Sequence, residues 1–279
     1  MASGLGALGA VARRPVTGLD RLGDQLAFYL RALAWTPRTL RRYRSELLRL
    51  LAEVSFGSGA LAVIGGTVGV ITFLSFFTGT EVGLQGYAAL DQLGTSAFAG
   101  FISAYFNTRE IAPLVAGLAL SATVGCGFTA QLGAMRISEE IDALEVMGVP
   151  SMPFLVTTRV IAGFVAVVPL YVIGLLSSYL STRIVATVYY GQSPGTYDHY
   201  FRLFLPPTDV LWSFGKVFVF AVVIILTHCY FGYRATGGPA GVGVAVGRAV
   251  RTSIVAINVI DFFLSLAIWG ATTTVRLAG

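Results

Sequence analysis

Long windows without a single charged residue constrain this chain more than any other feature. Residues 54–80, 111–135 and 160–182 contain no Asp, Glu, Lys or Arg. About 20 apolar residues cross a bilayer, and each charge at a helix centre costs roughly 2.5 to 3.5 kcal/mol to insert. These three windows are therefore expected to span a membrane. Two further stretches, 211–233 with Lys216 and His228 and 252–275 with Asp261, are long and apolar enough to cross despite those residues. Residues 92–108 are also uncharged but number only 17 before Asn107-Thr108 give way to Arg109-Glu110. They are expected to dip into the membrane or to extend the second span, not to form a sixth crossing. Composition agrees: 12% of residues are charged, against about 25% in soluble domains, and 55% are hydrophobic. The expected fold is all-α and polytopic.

The net charge of +5 is unevenly placed. Residues 1–50 carry nine arginines against Asp20, Asp24 and Glu46, so the remainder sums to −1. A nucleic-acid binder would spread basic residues over a folded polar face; a basic N-terminal segment instead fits an anionic membrane surface. The single lysine against eighteen arginines points to a GC-rich genome. Residues 1–19 read as a flexible lead, with Arg13 and Arg14 following the apolar part, the reverse of a signal peptide. Residues 20–53 place Leu22, Leu26, Tyr29, Leu30 and Leu33, then Leu40, Tyr43, Leu47, Leu50 and Leu51, at helical spacing. Thr36 as N-cap with Pro37 at the first position predicts the start of a second helix. Arg38, Arg41, Arg42, Arg44 and Arg49 crowd its polar side, the pattern of an interfacial helix; a solvated juxtamembrane helix is the plainer alternative. The positive-inside rule puts the N-terminus in the cytoplasm, along with the 136–158 and 234–251 loops. It puts the 184–210 loop and Arg276–Gly279 outside.

Four groups of residues could carry function. Residues 136–150 are too short and acidic to cross. Ser138 is placed to cap a helix, Glu139 and Glu140 favour the positive end of its dipole, and Gly148 with Pro150 stops it. Ile137, Ile141, Leu144 and Met147 share one face, opposite Glu139, Asp142 and Glu145. Such a helix suits a groove on a cytoplasmic partner, or it rests on the membrane as a solvated loop helix. Charges inside the membrane form the second group: Asp261, about 15 Å beyond Arg251 at 1.5 Å per residue, Lys216 in the outer half, and Arg109 and Glu110 at the outer end of a span. Intramembrane charges are functional candidates that face a cavity or each other, or they fix helix register as an ion-pair network. Third, Gly117, Ser121, Gly125, Thr129 and Gly133 recur every four residues, beside Ala122, Cys126, Ala130 and Ala134. Small-residue rows let helices approach closely, within the chain or across a subunit interface. Fourth, Tyr189, Tyr190, Tyr197, Tyr200, Phe201 and Phe204 crowd the outer loop, as interfacial anchors or as a docking surface. Cys126 and Cys229 read as buried packing residues, with no disulfide and no metal site. His228, alone in a span, reads as a satisfied packing histidine. The glycines 237, 238, 241, 243 and 247 lack the Lys-Ser/Thr of a phosphate loop and read as a cytoplasmic turn.

The run Gly127-Phe-Thr-Ala-Gln-Leu-Gly-Ala-Met-Arg-Ile-Ser-Glu-Glu-Ile-Asp-Ala-Leu-Glu-Val-Met-Gly148 resembles the signature of the MlaE/YrbE permeases, membrane subunits of ABC lipid transporters that work with MCE-domain proteins. The resemblance continues through Arg109-Glu-Ile-Ala-Pro113, Gly232-Tyr-Arg-Ala, the 237–247 glycines and Asp261-Phe262. It covers roughly residues 20–275, with 54–279 as the permease domain. Where the family pattern reads Ala-Glu-Leu-Gly, this chain has Ala130-Gln131-Leu132-Gly133. That departure resembles the B-type YrbE of actinobacterial Mce systems.

The resemblance implies a coupling helix over 138–147, with Ser138, Glu139, Glu140, Ile141, Asp142, Leu144, Glu145 and Met147 received by a cytoplasmic ABC ATPase dimer that binds the ATP and Mg. It also implies a second YrbE-type permease as heterodimer partner, extracytoplasmic MCE proteins docking near 184–210, and import of a fatty acid, mycolic-type lipid or sterol. Arg109, Glu110, Lys216 and Asp261 match charged positions of the family and would line or brace the lipid cavity. A non-catalytic permease subunit of the plasma membrane is expected. Two rivals differ in class. An ion-coupled secondary transporter would use Asp261, Lys216 and Glu110 and predicts an internal repeat. A lipid-modifying enzyme would need a nucleophile or metal constellation that His199 and His228 do not supply.

Overall fold

The computed structural model describes residues 22–56 and 66–270. The expectations for residues 1–19, for the first part of the 54–80 window and for Arg276–Gly279 lie wholly or partly outside those residues. Ten helices are described: α1 (22–34), α2 (Thr36–Arg42) and α3 (Arg44–Phe56), α4 (Thr67–Gln92), α5 (Ser96–Ile137), α6 (Glu140–Val146), α7 (Met152–Tyr189), α8 (Pro194–Leu203), α9 (Pro207–Tyr233) and α10 (Gly238–Trp269). No strand occurs among the described residues. Five helices, α4, α5, α7, α9 and α10, are long and apolar enough to cross a membrane. Residues 96–108 open the 42-residue α5, so the short uncharged stretch extends the second span and adds no sixth.

Several boundaries correct the reading from charge alone. The first span is shifted outward to Thr67–Gln92 and takes in Glu81 and Asp91. The 234–251 segment is helical from Gly238 onward: only Gly237 and Gly238, at φ of 88° and 67°, make the turn, and Gly241, Gly243 and Gly247 lie within α10. Most of the 184–210 loop is helical as well, in the end of α7 and in α8. The cap of α2 is Trp35, one residue before the expected Thr36, and the basic helix breaks at Tyr43.

α5, α7 and α9 form the centre, where Leu120, Leu132, Leu170, Phe220, Ile224 and Ile225 are buried together. α4 and α10 flank it, and each shows a four-residue repeat on its inner side. On α4 the repeat is Thr67, Ile71, Ser75, Gly79 and Gly83; on α10 it is Ala245, Ala249, Ser253, Ile257 and Asp261. Their outer faces carry exposed Phe73, Phe77, Val255, Val259, Phe262 and Phe263, as helices facing lipid or another membrane subunit do. α1–α3 are two-sided. Phe28, Ala32, Leu47 and Leu50 are buried, while Leu22, Leu26, Leu30, Leu33, Leu40 and Leu48 are exposed, beside the exposed Arg38, Arg41, Arg42, Arg44 and Arg49.

The small-residue row on α5 packs within the chain. A side chain added at Gly117 would meet Ile257 and Phe220, at Gly125 the His228 ring, and at Gly133 Val242. Ser121 and Thr129 hydrogen-bond His228. All five positions therefore face the α5 contact with α9 and α10, the first of the two alternatives, packing within the chain. A closer approach, not evident from the sequence, joins α4 to α7. A Cβ at Gly79 would lie 2.3 Å from Ser181 Oγ and 2.5 Å from the Ser178 carbonyl, and the Gly79 carbonyl accepts a 2.7 Å hydrogen bond from Thr182. Gly79→Ala is expected to cost about 1–3 kcal/mol, because backbone must move. Gly127→Ala, with nothing within 4 Å, should be neutral or gain about 0.5–1 kcal/mol. Thermal unfolding in detergent, comparing the two variants, checks this.

Candidate functional site

The end of the bundle opposite α6, the outer end in the topology expected from the arginines, holds a buried charge network built around a proline. Pro113 has no N–H to give the carbonyl four residues back, at Arg109, and α5 runs in π-type hydrogen bonding over Ser103–Ile111 just before it. The Arg109 carbonyl instead accepts a hydrogen bond from Lys216 Nζ of α9 at 2.7 Å. That ammonium also contacts Asp261 of α10 at 2.7 Å and Glu110 at 3.3 Å, and donates to Ser265 Oγ at 2.8 Å. Lys216 is 1% exposed, and the Trp269 ring lies 5.4 Å from Nζ.

Beside it, Arg109 forms a second buried pair with Asp209, at 2.6 and 2.7 Å. The Trp269 indole donates to the other Asp209 oxygen at 3.1 Å, and the Arg109 guanidinium lies 4.1 Å from the Tyr105 ring. The structure thus brings together all four intramembrane candidates, Arg109, Glu110, Lys216 and Asp261. It adds Asp209, Ser265 and Trp269, which the sequence reading left aside. Asp209 looked like part of a loop after Pro206-Pro207; it lies in the first turn of α9, and its partner is 100 residues away. Arg109 and Glu110 lie inside the continuous α5. Asp261 is 23 residues from the start of α10 and eight from its end. Two cations face three carboxylates. Glu110 is the half-exposed member, its side chain 41% accessible, where the network opens to the surroundings.

At the other end of the bundle, α6 joins α5 to α7. Its expected cap is corrected: Ser138 is the C-cap of α5 and donates to the Ala134 carbonyl and to Glu140. Glu139 holds the N-cap position of α6 at φ 60°. Only Ile141, fully buried, and the half-buried Leu144 face the bundle. Ile137 and Met147, expected on the same face, are exposed, and Val146 is 89% exposed. Polar bonds fasten both ends. Arg136 pairs with Asp142 at 2.7 Å, and Ser151 donates to Glu145 at 2.5 Å and also bonds Tyr233 of α9. The solvent-facing surface of α6 therefore carries Glu139, Glu140 and Asp142 beside the apolar Val146 and Met147.

Three smaller points complete the comparison with expectation. His228 is buried and satisfied by Ser121, Thr129 and Ser253 at 2.8–3.3 Å, as a packing histidine should be. Both cysteines are free thiols, Cys229 buried but Cys126 only half-buried. The outer aromatics mostly pack on the chain itself. Tyr197 is buried with Ala99 and Ala186, Tyr190 stacks on Tyr87 at 4.0 Å, and Phe201 and Phe204 meet Tyr179 and Phe101; Tyr189 remains exposed. α8 is further clipped to α7 by Arg183 and Asp198 at 2.9 Å, whose hydrogen bonds hold the Asp198 carboxyl below its usual range.

Helices that bury a charge network between spans and leave an acidic, apolar-edged helix outside define a polytopic membrane permease. The chain belongs to the MlaE family: the model of that family, described as "Permease MlaE", matches residues 56–267. It is similar to a probable ABC transporter permease protein of Rickettsia bellii, 29% identical over 196 residues, covering 70% of this chain and 76% of that protein. It is also similar to the protein TRIGALACTOSYLDIACYLGLYCEROL 1, chloroplastic, of Arabidopsis thaliana, 31% identical over 71% of this chain and 57% of that protein. A probable ABC transporter permease protein of Synechocystis is 31% identical over 62% of this chain and 65% of its own length. The chain is thus a multi-pass permease subunit of ABC-transporter type.

Removing one partner of a buried ion pair strands the other charge, at about 3–5 kcal/mol. Asp209→Leu is expected to lose that much stability, and Arg109→Met/Asp209→Leu together to recover most of it. A thermal double-mutant cycle in detergent checks this; equal loss from the single and double variants would refute it.

Proposed function

We propose that this chain is the membrane subunit of an ATP-driven, Mce-type lipid importer. It would pair with a second YrbE-type permease, be driven by a cytoplasmic ABC ATPase dimer that binds the ATP and Mg, and exchange lipid with extracytoplasmic MCE proteins. The observation that carries the reading is α6. A seven-residue helix fixed to the bundle by Ile141, and bonded to α5, α7 and α9 through Arg136, Ser151 and Tyr233, presents a free acidic and apolar surface. Displacing it must move three core spans. The basic α1–α3 segment and Arg136, Arg159, Arg234, Arg248 and Arg251 all flank the α6 end, which supports a cytoplasmic location for it under the positive-inside rule. The exposed leucines of α1–α3 beside those arginines suit an interfacial position.

The Arabidopsis relative is named for a galactolipid, which supports a lipid cargo, and the apolar outer faces of α4 and α10 would let an acyl chain reach the network. There the half-exposed Glu110, at the mouth of the network, offers a polar end for a headgroup. The residue pattern resembling B-type YrbE supports the heterodimer and import. Against an ion-coupled transporter stands the saturation of Lys216 by four partners, which ties these charges into structure.

The test is reconstitution of the chain with its copurifying subunits. Val146→Glu/Met147→Glu should abolish capture of the ATPase and ATP-dependent lipid movement while leaving thermal stability unchanged. Lipid movement by the chain without any ATPase, driven by an ion gradient, would overturn the reading. Within the intact complex, Lys216→Ala or Asp261→Ala should abolish transport with assembly retained.

A further inference from the structure

A cavity at the α6 end of the bundle has no part in the network above. It is a half-open groove of about 810 Å³ between α1, α9 and the start of α10. Its rim carries Arg234 from α9 and Arg248 from α10, with Gln25, Tyr230 and Thr236 between them; Phe231, Val244 and Ala245 form an apolar wall. Two cations on separate helices thus face one space. Arg248 makes no ion pair among the described residues. Arg234 is oriented by Asp24 at 3.3 Å and by the Tyr230 hydroxyl at 3.1 Å. Both of those bonds use Nη1, so Nη2 and Nε have no partner among the described residues. The groove also has an apolar approach: Val244 is exposed on its wall, and Leu22 and Leu26 are exposed on α1 beside Gln25.

We propose that this groove holds the headgroup of an anionic glycerophospholipid of the adjoining leaflet, its phosphate between Arg234 and Arg248 and its acyl chains along Val244, Leu22 and Leu26. Basic pockets between membrane helices at the cytoplasmic surface recognise acidic headgroups in this way, and each basic residue near the surface contributes appreciably. Arginine suits the task because its planar fork meets two phosphate oxygens at once. The charge balance names an external anion. Asp24 answers Arg234, whereas Arg248 has no ion pair among the described residues, so the groove keeps a positive charge. The bound lipid is distinct from cargo. Arg234 is 18 residues from Lys216 along α9, about 27 Å, so the site lies at the opposite end of the span from the outer network. It would brace the α9–α10 turn, where Gly237 and Gly238 leave the backbone little support of its own. The inference uses the topology proposed above only to name the leaflet, and its test reads lipid retention, which is independent of transport.

The purified full-length complex is placed in nanodiscs of equal phosphatidylglycerol and phosphatidylcholine, released, and its retained lipid measured by native mass spectrometry. The wild type should keep phosphatidylglycerol in preference. Arg234→Gln and Arg248→Gln should each lower that retention by about fivefold, and Arg248→Lys should retain most of it. Arg251→Gln removes the same charge three residues along α10, where the side chain bonds the Gly247 carbonyl outside the groove, and should change nothing. Monodispersity of every variant on gel filtration shows that retention is read on folded protein. Equal loss from Arg248→Gln and Arg251→Gln, equal retention of the two lipids, or displacement by millimolar inorganic phosphate would each overturn the proposal. So would finding the groove occupied by a copurified protein subunit in place of lipid.

Discussion

A single ammonium group holds the outer half of this bundle in register. Lys216 could not be buried at 1% exposure without acceptors on every side, and it finds them on two neighbouring helices: the Arg109 carbonyl and Glu110 on α5, and Asp261 and Ser265 on α10. The first acceptor exists because Pro113 cannot use it. A proline that would weaken an isolated helix becomes, in this bundle, the source of a helix–helix contact. Arg109 then turns its guanidinium the other way, to Asp209 and the aromatic rings of Tyr105 and Trp269. The backbone and the side chain of one residue thereby tie α5 to α9 at two points about two turns of α9 apart.

The inner half is joined by weaker and more divisible contacts. The α5–α9 crossing there rests on His228, whose ring lies against Gly125 and exchanges hydrogen bonds with three hydroxyls. Hydroxyl contacts between membrane helices contribute modestly, averaging about 0.6 kcal/mol each, well under the cost of stranding a buried charge. Further in, Gln131 bridges Arg159 on α7 and Glu53 on α3. A neutral amide donates to one and accepts from the other, where a carboxylate could only accept. A stiff outer end and a looser inner end follow from the same spans.

How legible this was in the sequence depends on the range of the interaction. Charge-free windows found three spans and apolar length the other two, because insertion energy is a property of a local stretch, and a four-residue periodicity found the packing row on α5 for the same reason. Boundaries failed where helices outran their apolar windows. α10 begins at Gly238, through glycines and two arginines that a hydropathy window excludes, since a helix does not end where the membrane does. Partners failed more completely. Asp209 and Lys216 were both visible as charges, but that Asp209 would meet Arg109 while Lys216 took Asp261 depends on helix rotation, which no local pattern records. The α6 faces were read from periodicity alone, which placed Met147 with Ile141. Seven residues give two turns, and Met147 falls beyond the helix end, where the 100° rule no longer holds.

The two halves bear differently on how a push at α6 could reach the outer network. α6 reaches Lys216 only along the spans: its bonds meet the inner ends of α5, α7 and α9, and from Tyr233 to Lys216 is 17 residues, about 26 Å of helix. A helix is stiff along its axis, so axial or tilting movement of α9 would be transmitted, whereas a local rearrangement would be lost in the hydroxyl contacts around His228. The π-type stretch Ser121–Gly125 of α5 lies between the two regions, and Met152–Thr157 opens α7 beside α6. There an extra residue per turn loosens the hydrogen-bond ladder, so α5 and α7 can bend where α9 cannot. In the coupling proposed above, movement at α6 would be taken up most easily as α9 tilting against α5 about the Lys216 contact. That would open the inner crossing while the outer charge network acts as the pivot.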